Sequence, residues 1–241
     1  MIFAAGLGTR LKPLTDTMPK ALVKVGGCTL IEQVIRKLST AGADRMVVNV
    51  HHFAEQIRSF LHDNNNFGQN IAISDESRLL LDTGGGLKKA QRLFCSSEPI
   101  LIHNVDILSN VDLQSFYEQS LQNDATLLVS QRQTMRYLLF NQDMQLVGWT
   151  NVKTGEVRSP YPNLDPKDCT MLAFAGIHSF SPRLFPLMDD LPDKFGIMDF
   201  YLSVCHKTMI KGIKIDGLKL LDVGKVDSLA VAEQFMREAG N

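Results

Sequence analysis

Cysteine, tryptophan and net charge are all scarce in this chain. Its 241 residues include four cysteines and one tryptophan, and carry a formal charge of −1. The cysteines (Cys28, Cys95, Cys169 and Cys205) are widely scattered and form no Cys-x-x-Cys pair. Neither a disulfide framework nor a zinc site is expected, and the thiols read as reduced, in a cytoplasmic setting. A charge so near zero gives no nucleic-acid surface and no membrane-attracting patch. No apolar run approaches the roughly 18 residues of a membrane span. The first residues lack the basic region of a signal peptide. Any anionic ligand must therefore be held by a few local cations, not by a global field. What is present in ordinary amount is apolar side chain, 44% of the residues, enough for a sizeable core.

The richest stretch is the first. Ile2-Phe3-Ala4-Ala5 reads as a short strand and runs into Gly6-Leu7-Gly8-Thr9-Arg10. Leu11-Lys12-Pro13-Leu14-Thr15 follows, then Pro19-Lys20-Ala21-Leu22. Glycines let backbone N–H groups come close to an anion. Arg10 offers a planar fork for phosphate oxygens, and Lys20 a point charge. The loop reads as a cradle for a nucleoside triphosphate. Two better-known glycine loops are excluded. Leu11 stands where a dinucleotide fingerprint has its third glycine, and His51-His52 where it has its acidic residue. A P-loop needs Gly-Lys-Ser/Thr, which is absent.

Strands and helices alternate through the first half. The pattern gives strands at 45–51, 70–75 and 125–131, and a near-continuous apolar strand from Pro99 to Ile107. Helices are expected over 30–41, 53–62, 84–93 and 112–122, the last capped by Asp112. This is an α/β chain with a doubly wound, mostly parallel sheet. The second half differs. Tyr137–Asn141 and Leu146–Val152 read as a hairpin, 153–170 as a proline-bearing surface loop, 171–180 as a long strand, and 199–208 and 228–239 as helices. The expectation is a single domain over 1–241 with a small β-rich substrate lobe at about 133–180.

Two aspartates end apolar strands. Asn104-Val105-Asp106 closes the central one, and Asp222 follows Leu220-Leu221 and precedes Val223-Gly224. Ligands of open α/β sheets sit at the carboxyl ends of strands. Two carboxylates with phosphate oxygens suit Mg²⁺, which keeps waters and uses few protein ligands; each aspartate equally suits a helix cap or a turn. Leu81-Asp82-Thr83-Gly84-Gly85-Gly86 opens a helix, where exposed N–H groups and the helix dipole favour an anion, or where a tight turn alone needs glycine. Glu76 either accepts a hydrogen bond from a base or is solvated. His51 and His52 lack a spaced partner for metal. Cys205 and His206 are neighbours on a helix and point apart.

These stretches together resemble the sugar-1-phosphate nucleotidyltransferases. The first matches G-x-G-x-R-x-x-P-L-T-x-x-x-P-K-P-L, departing only at Ala21. Asn104-Val105-Asp106 resembles that family's first magnesium motif, with Val105 where glycine is usual, and Asp222-Val223-Gly224 the second. Leu81 to Gly85 resembles the uridylyl and guanylyl branches. The resemblance implies a Rossmann-like nucleotidyltransferase fold and transfer of a nucleotide from a nucleoside triphosphate, UTP before GTP, to a sugar 1-phosphate. It implies Arg10, Lys20 and Asp106 as catalytic. Nucleotide contacts would come from Ala4, Ala5, Gly6, Leu7, Gly8, Thr9, Arg10, Glu76, Thr83, Gly84, Gly85 and Asn104. Asp106 and Asp222 would hold Mg²⁺. The V-E-K-P segment whose lysine holds the sugar phosphate in many relatives is absent, leaving Lys20, with Arg132 and Asn151, and Arg136 or Lys153 as further substitutes. The closest likeness is to compact uridylyltransferases acting on N-acetylmuramate 1-phosphate. Mannose- and heptose-1-phosphate guanylyltransferases come second, and a catalytically silent nucleotide-binding subunit is the reading from another class.

Overall fold

The computed structural model describes residues 1–94 and 97–238, the side chain of residue 238 excepted. The chain opens with β1 (Ile2–Phe3) and a long loop, then a hairpin of β2 (Lys24–Val25) and β3 (Cys28–Thr29). There follow α1 (Leu30–Thr40), β4 (Arg45–Val50), α2 (Ala54–Asp63), β5 (Asn70–Asp75) and α3 (Asp82–Ala90). The middle holds β6 (Ile100–Asn104), β7 (Ile107–Ser109), α4 (Leu113–Ser120) and β8 (Ala125–Ser130). The second half has β9 (Arg136–Phe140), β10 (Leu146–Asn151), β11 (Glu156–Arg158) and β12 (Thr170–Phe180). It ends with α5 (Ile197–Val204), β13 (Ile210–Lys214), β14 (Leu220–Asp222) and α6 (Val226–Glu238).

One mixed sheet runs β11-β10-β9-β12-β6-β1-β4-β5, with β8 on β12 and β13 on β8. The nucleus β6-β1-β4-β5 is parallel, and β12 joins it antiparallel. Alternate residues of each strand feed two different cores, as a period of two requires. Ile2 and Val48 face a core closed by α1, α2, α4 and α6. Phe3 and Val47 face the other, closed by α3 and α5. Helices on both faces are the doubly wound arrangement the alternation predicts.

Helix α1 shows how the local code works. Thr29 caps it by accepting the Glu32 N–H at 3.3 Å, and Leu30, Ile31, Val34, Ile35 and Leu38 form one buried stripe. Each such side chain gains roughly 1.5–3 kcal/mol from burial before entropy is counted. Gly42, at φ +83°, turns the chain away.

Four expectations need correction. The apolar run 99–107 is not one strand: β6 ends at Asn104, the chain turns at Val105-Asp106, and β7 pairs with β14 instead. The sequence hides this break because Val105, Ile107 and Leu108 all stay in the core after it. The loop 153–170 contains β11, whose three residues are all exposed and so leave no apolar signature. The helix expected at 199–208 is α5, which starts two residues and ends four residues earlier because Gly196 ends the preceding extended backbone. The β2–β3 hairpin and β13 were not expected; their short, lysine-bearing segments show little pattern. Cys95 and the end of the expected last helix, residue 239, lie outside the described residues. Cys28, Cys169 and Cys205 are free thiols, and among the described residues no helix is long and apolar enough to cross a membrane.

Candidate active site

A cleft of about 450 Å³ opens where β1, β4 and β6 end. Phe3, Ala4, Ala5 and Gly6 form its floor, Asn49 and Asn104 its strand-end wall, and Lys20, Val105 and Asp106 one side. Leu80, Asp82, Thr83 and Gly196 form the other. The glycine loop is held at its far end: Leu11 is fully buried, its N–H donates to the Gly8 carbonyl at 2.8 Å, and Thr15 Oγ1 donates to the same oxygen at 2.8 Å. Gly8 has φ +64°, and a Cβ there would meet Thr15 Cγ2 at 2.9 Å and Lys20 Cβ at 3.0 Å. The loop therefore needs this glycine both for conformation and for closeness. Leu7, Gly8, Thr9 and Arg10 lie beyond the cleft's own lining.

One cation of the loop pairs with an aspartate, and the other lies near the second aspartate without pairing with it. Lys20, 9% exposed, pairs with Asp106 Oδ2. Arg10 lies against Gly224, where a Cβ would meet Asp222 Oδ1 at 2.5 Å and Arg10 Nη2 at 2.7 Å. Strand pairing brings the carboxylates to one end of a two-stranded ribbon. Asp222 is in register with Ile107, and the Val223 N–H donates to the Asp106 carbonyl at 2.8 Å. Asp222 Oδ1 is buried and has no hydrogen-bond partner among the described residues. A buried carboxylate oxygen left bare is costly unless something completes it. The described residues hold no cluster of three or more His, Cys, Asp or Glu. Two carboxylates, one of them incomplete, fit a hard ion that takes its other ligands from phosphate and water. Val105 turns its side chain into the core, so the β-branched residue is accommodated there.

The helix at Gly84-Gly85 corrects the reading from sequence. Both N–H groups donate to the Phe195 carbonyl, at 2.9 and 3.1 Å, so neither is open to a ligand. A Cβ on Gly84 would strike the Phe195 ring, and one on Gly85 the Asp193 carbonyl. These glycines let segment 193–196 pack on α3. Thr83 does line the cleft, and its Oγ1 accepts the Ile197 N–H at 2.9 Å. Glu76 is likewise corrected: it is 0% exposed, neither solvated nor in the lining. Burial pushes its carboxyl upward, against the hydrogen bonds from Leu81 and Asn49.

The structure does not bring Arg132 or Asn151 to the cleft lining. Arg132 Nη2 donates to the Phe174 carbonyl at 3.2 Å, and Asn151 Oδ1 accepts the Lys153 N–H at 3.0 Å in a turn. Arg136 is cross-strand from Asn151. Besides Lys20, Lys194 comes near the cleft, with Nζ 3.9 Å from Oδ2 of the lining residue Asp82. Sequence reasoning also missed Asn49, although an asparagine in the run Arg45–Val50 was a signal. His51 Nδ1 bonds the Glu76 carbonyl at 2.7 Å. Burial raises the Cys205 thiol to about 11, which suits a packed and unreactive group.

Comparison with known proteins agrees with this geometry. The family model described as nucleotidyl transferase matches residues 1–146. The chain is 30% identical to the N-acetylmuramate alpha-1-phosphate uridylyltransferase of Caulobacter vibrioides, over 99% of this chain and 97% of that one. It is 39% identical to the protein of the same name from Neisseria meningitidis serogroup B, over 49% of this chain and 51% of that one. Among solved structures, HddC from Yersinia pseudotuberculosis complexed with GMP-PN superposes with TM-score 0.76 at 22% identity, covering 98% of this chain and 97% of that one. A putative glucose-1-phosphate thymidylyltransferase from Bacillus anthracis does so with TM-score 0.81 at 17% identity, covering 98% and 94%. The cleft, the cations and aspartates beside it, the matching family model and a relative 30% identical along essentially the whole chain lead to one conclusion: the chain belongs to the nucleotidyl transferase family and is a sugar-1-phosphate nucleotidyltransferase.

Proposed function

We propose that the chain transfers UMP from UTP to N-acetylmuramate 1-phosphate, releasing pyrophosphate. The observation that carries the choice of substrates is the likeness to the Caulobacter vibrioides uridylyltransferase along essentially the entire chain. The nucleophile is a phosphate monoester with a second pKa of about 6, already ionised at neutral pH. No general base is needed, and none of the histidines is arranged as one. The obstacle is repulsion between two anions, so catalysis is positioning and charge neutralisation. Arg10 would hold triphosphate oxygens and the departing pyrophosphate. Lys20, already oriented by Asp106, would hold the α-phosphate or the incoming sugar phosphate. Lys194, whose Nζ lies 3.9 Å from the cleft-lining Asp82, would take the sugar phosphate in the role of the missing lysine. Asp106 and Asp222 would hold Mg²⁺, which when bound neutralises phosphate oxygens.

Pyrophosphate release, measured with five nucleoside triphosphates against a panel of sugar 1-phosphates, tests the assignment. Fastest turnover with UTP and N-acetylmuramate 1-phosphate is expected. Preference for GTP with mannose 1-phosphate would overturn it in favour of a guanylyltransferase, a name also carried by a Gibberella zeae relative 35% identical over 54% of this chain. Lys194→Ala should raise KM for the sugar phosphate and leave that for the nucleotide nearly unchanged.

A further inference from the structure

Glu76 sits at the centre of a buried polar link that no part of the reaction above uses. Its Oε1 accepts from Asn49 Nδ2 at 2.7 Å, and its Oε2 accepts the Leu81 N–H at 3.1 Å. Asn49 Oδ1 in turn accepts the Ala4 N–H at 2.8 Å. The backbone closes the figure: the Glu76 N–H donates to the Val50 carbonyl at 2.7 Å. One carboxylate thereby ties together the end of β1, the end of β4 and the turn into α3. All three segments contribute cleft wall, through Ala4, Asn49, and Leu80, Asp82 and Thr83.

The link also explains the third glycine of the run. A Cβ on Gly86 would stand 2.6 Å from Glu76 Oε1 and 3.0 Å from Asn49 Nδ2. Gly84 and Gly85 make room for segment 193–196, whereas Gly86 makes room for this hydrogen bond. Gly86 is helical with no positive φ, so close approach is the reason for a glycine here. The two oxygens of Glu76 accept from two donors, an arrangement that a carboxyl group satisfies and a side-chain amide does not.

We infer that Glu76 is a positioning residue that fixes the nucleotide cradle by holding Asn49 and the α3 turn, and does not itself read the base. This inference rests on the cleft being the nucleotide site. In Glu76→Gln, an NH₂ group must face either Asn49 Nδ2 or the Leu81 N–H, donor against donor, at almost unchanged volume. A strut acts equally on every nucleotide, whereas a base reader acts on one.

The experiment compares wild type, Glu76→Gln and Gly86→Ala. Alanine favours helix over glycine by about 1 kcal/mol, so Gly86→Ala tests the link without weakening α3. Two measurements are made: amide hydrogen exchange without nucleotide, and steady-state kinetics with UTP, GTP, CTP and ATP. In both variants the Ala4 and Leu81 amides should lose protection while strand β4 keeps it. KM for every nucleotide the wild type uses should rise by about tenfold, the scale of one lost buried hydrogen bond, with kcat within about threefold. A rise confined to one nucleotide would make Glu76 a base reader and overturn the inference. So would unchanged Ala4 and Leu81 protection in the folded variants. Failure of the reading beneath it looks different: wild type would then show no nucleotide turnover, while the exchange result would still decide whether the strut exists.

Discussion

Asp222 carries an oxygen that is buried and bare, and its neighbour Asp106 carries one that is paired with Lys20. The two carboxylates should therefore respond differently to the same change. In Asp222→Asn the fold loses a desolvated charge and should unfold, without metal, at the wild-type temperature or above. In Asp106→Asn the buried ammonium of Lys20 loses its counter-charge, and metal-free stability should fall by about 1–3 kcal/mol. Both should lose turnover on the order of 100-fold or more, and in both the stabilisation by added Mg²⁺ should vanish. Thermal unfolding with and without Mg²⁺, alongside turnover, measures this; a folded variant keeping the Mg²⁺ shift would remove that aspartate from the metal site. Arg10→Lys keeps charge but loses the bidentate fork, and should recover only part of the turnover lost in Arg10→Ala; full recovery would show that charge alone suffices. That Lys20, Asp106 and Asp222 lie close together follows from the sequence only as far as each stands at a strand end or after a glycine turn; the pairing of Lys20 with Asp106 and of β14 with β7 comes from the fold. The place of Glu76 was not legible, because sequence shows a carboxylate without showing that two donors surround it.

At the scale of elements, the contact between α3 and segment 193–196 decides the shape of one wall. Two N–H groups of the first helical turn are spent on the Phe195 carbonyl, so the dipole end of this helix is closed by protein. Gly85→Ala should stabilise an isolated helix, yet its Cβ would overlap the Asp193 carbonyl, a backbone atom that cannot rotate aside. Denaturant titration should show a loss of about 1–3 kcal/mol, the usual cost of overpacking. Because Gly196 lines the cleft, nucleotide KM should rise as well; a variant as stable as wild type would mean that the segment is free to move. A glycine run in sequence announces a close approach but not the approaching partner, and here the partner lies more than 100 residues away. The same limit hid the break between β6 and β7. Their hydrophobic pattern is continuous, and only the pairing of β7 with β14 tells them apart. Helix α1 was legible because its cap, stripe and terminal glycine are all local.

Over the whole molecule, the second core contains a buried imidazole that helps set how the fold meets acid. His178 lies 1% exposed on β12, with Nδ1 3.1 Å from the Tyr201 hydroxyl on α5 and its ring packed near Phe3, Phe174 and Tyr201. Burial lowers its pKa from 6.5 to about 3. Between those values the unfolded chain binds a proton at this ring and the folded chain does not, so stability falls as pH falls. At pH 5 the loss from this residue, relative to pH 7.5, is about 2 kcal/mol, from about 1.4 kcal/mol per pH unit over the interval below 6.5. His103, buried and lowered to about 4, adds in the same direction. Glu76 opposes them: its carboxyl is raised, so the folded chain takes up that proton before the unfolded chain does. The Met1 amino group, buried in the same core and lowered to about 5, weakens the fold from about pH 8 downward, and the two histidines add to this from about pH 6.5. Urea unfolding at pH 7.5, 6 and 5 should show this decline in wild type and a shallower one in His178→Gln, whatever the variant's own stability at pH 7.5. Equal slopes in the two proteins would mean that His178 is protonated, or hydrated, within the folded core.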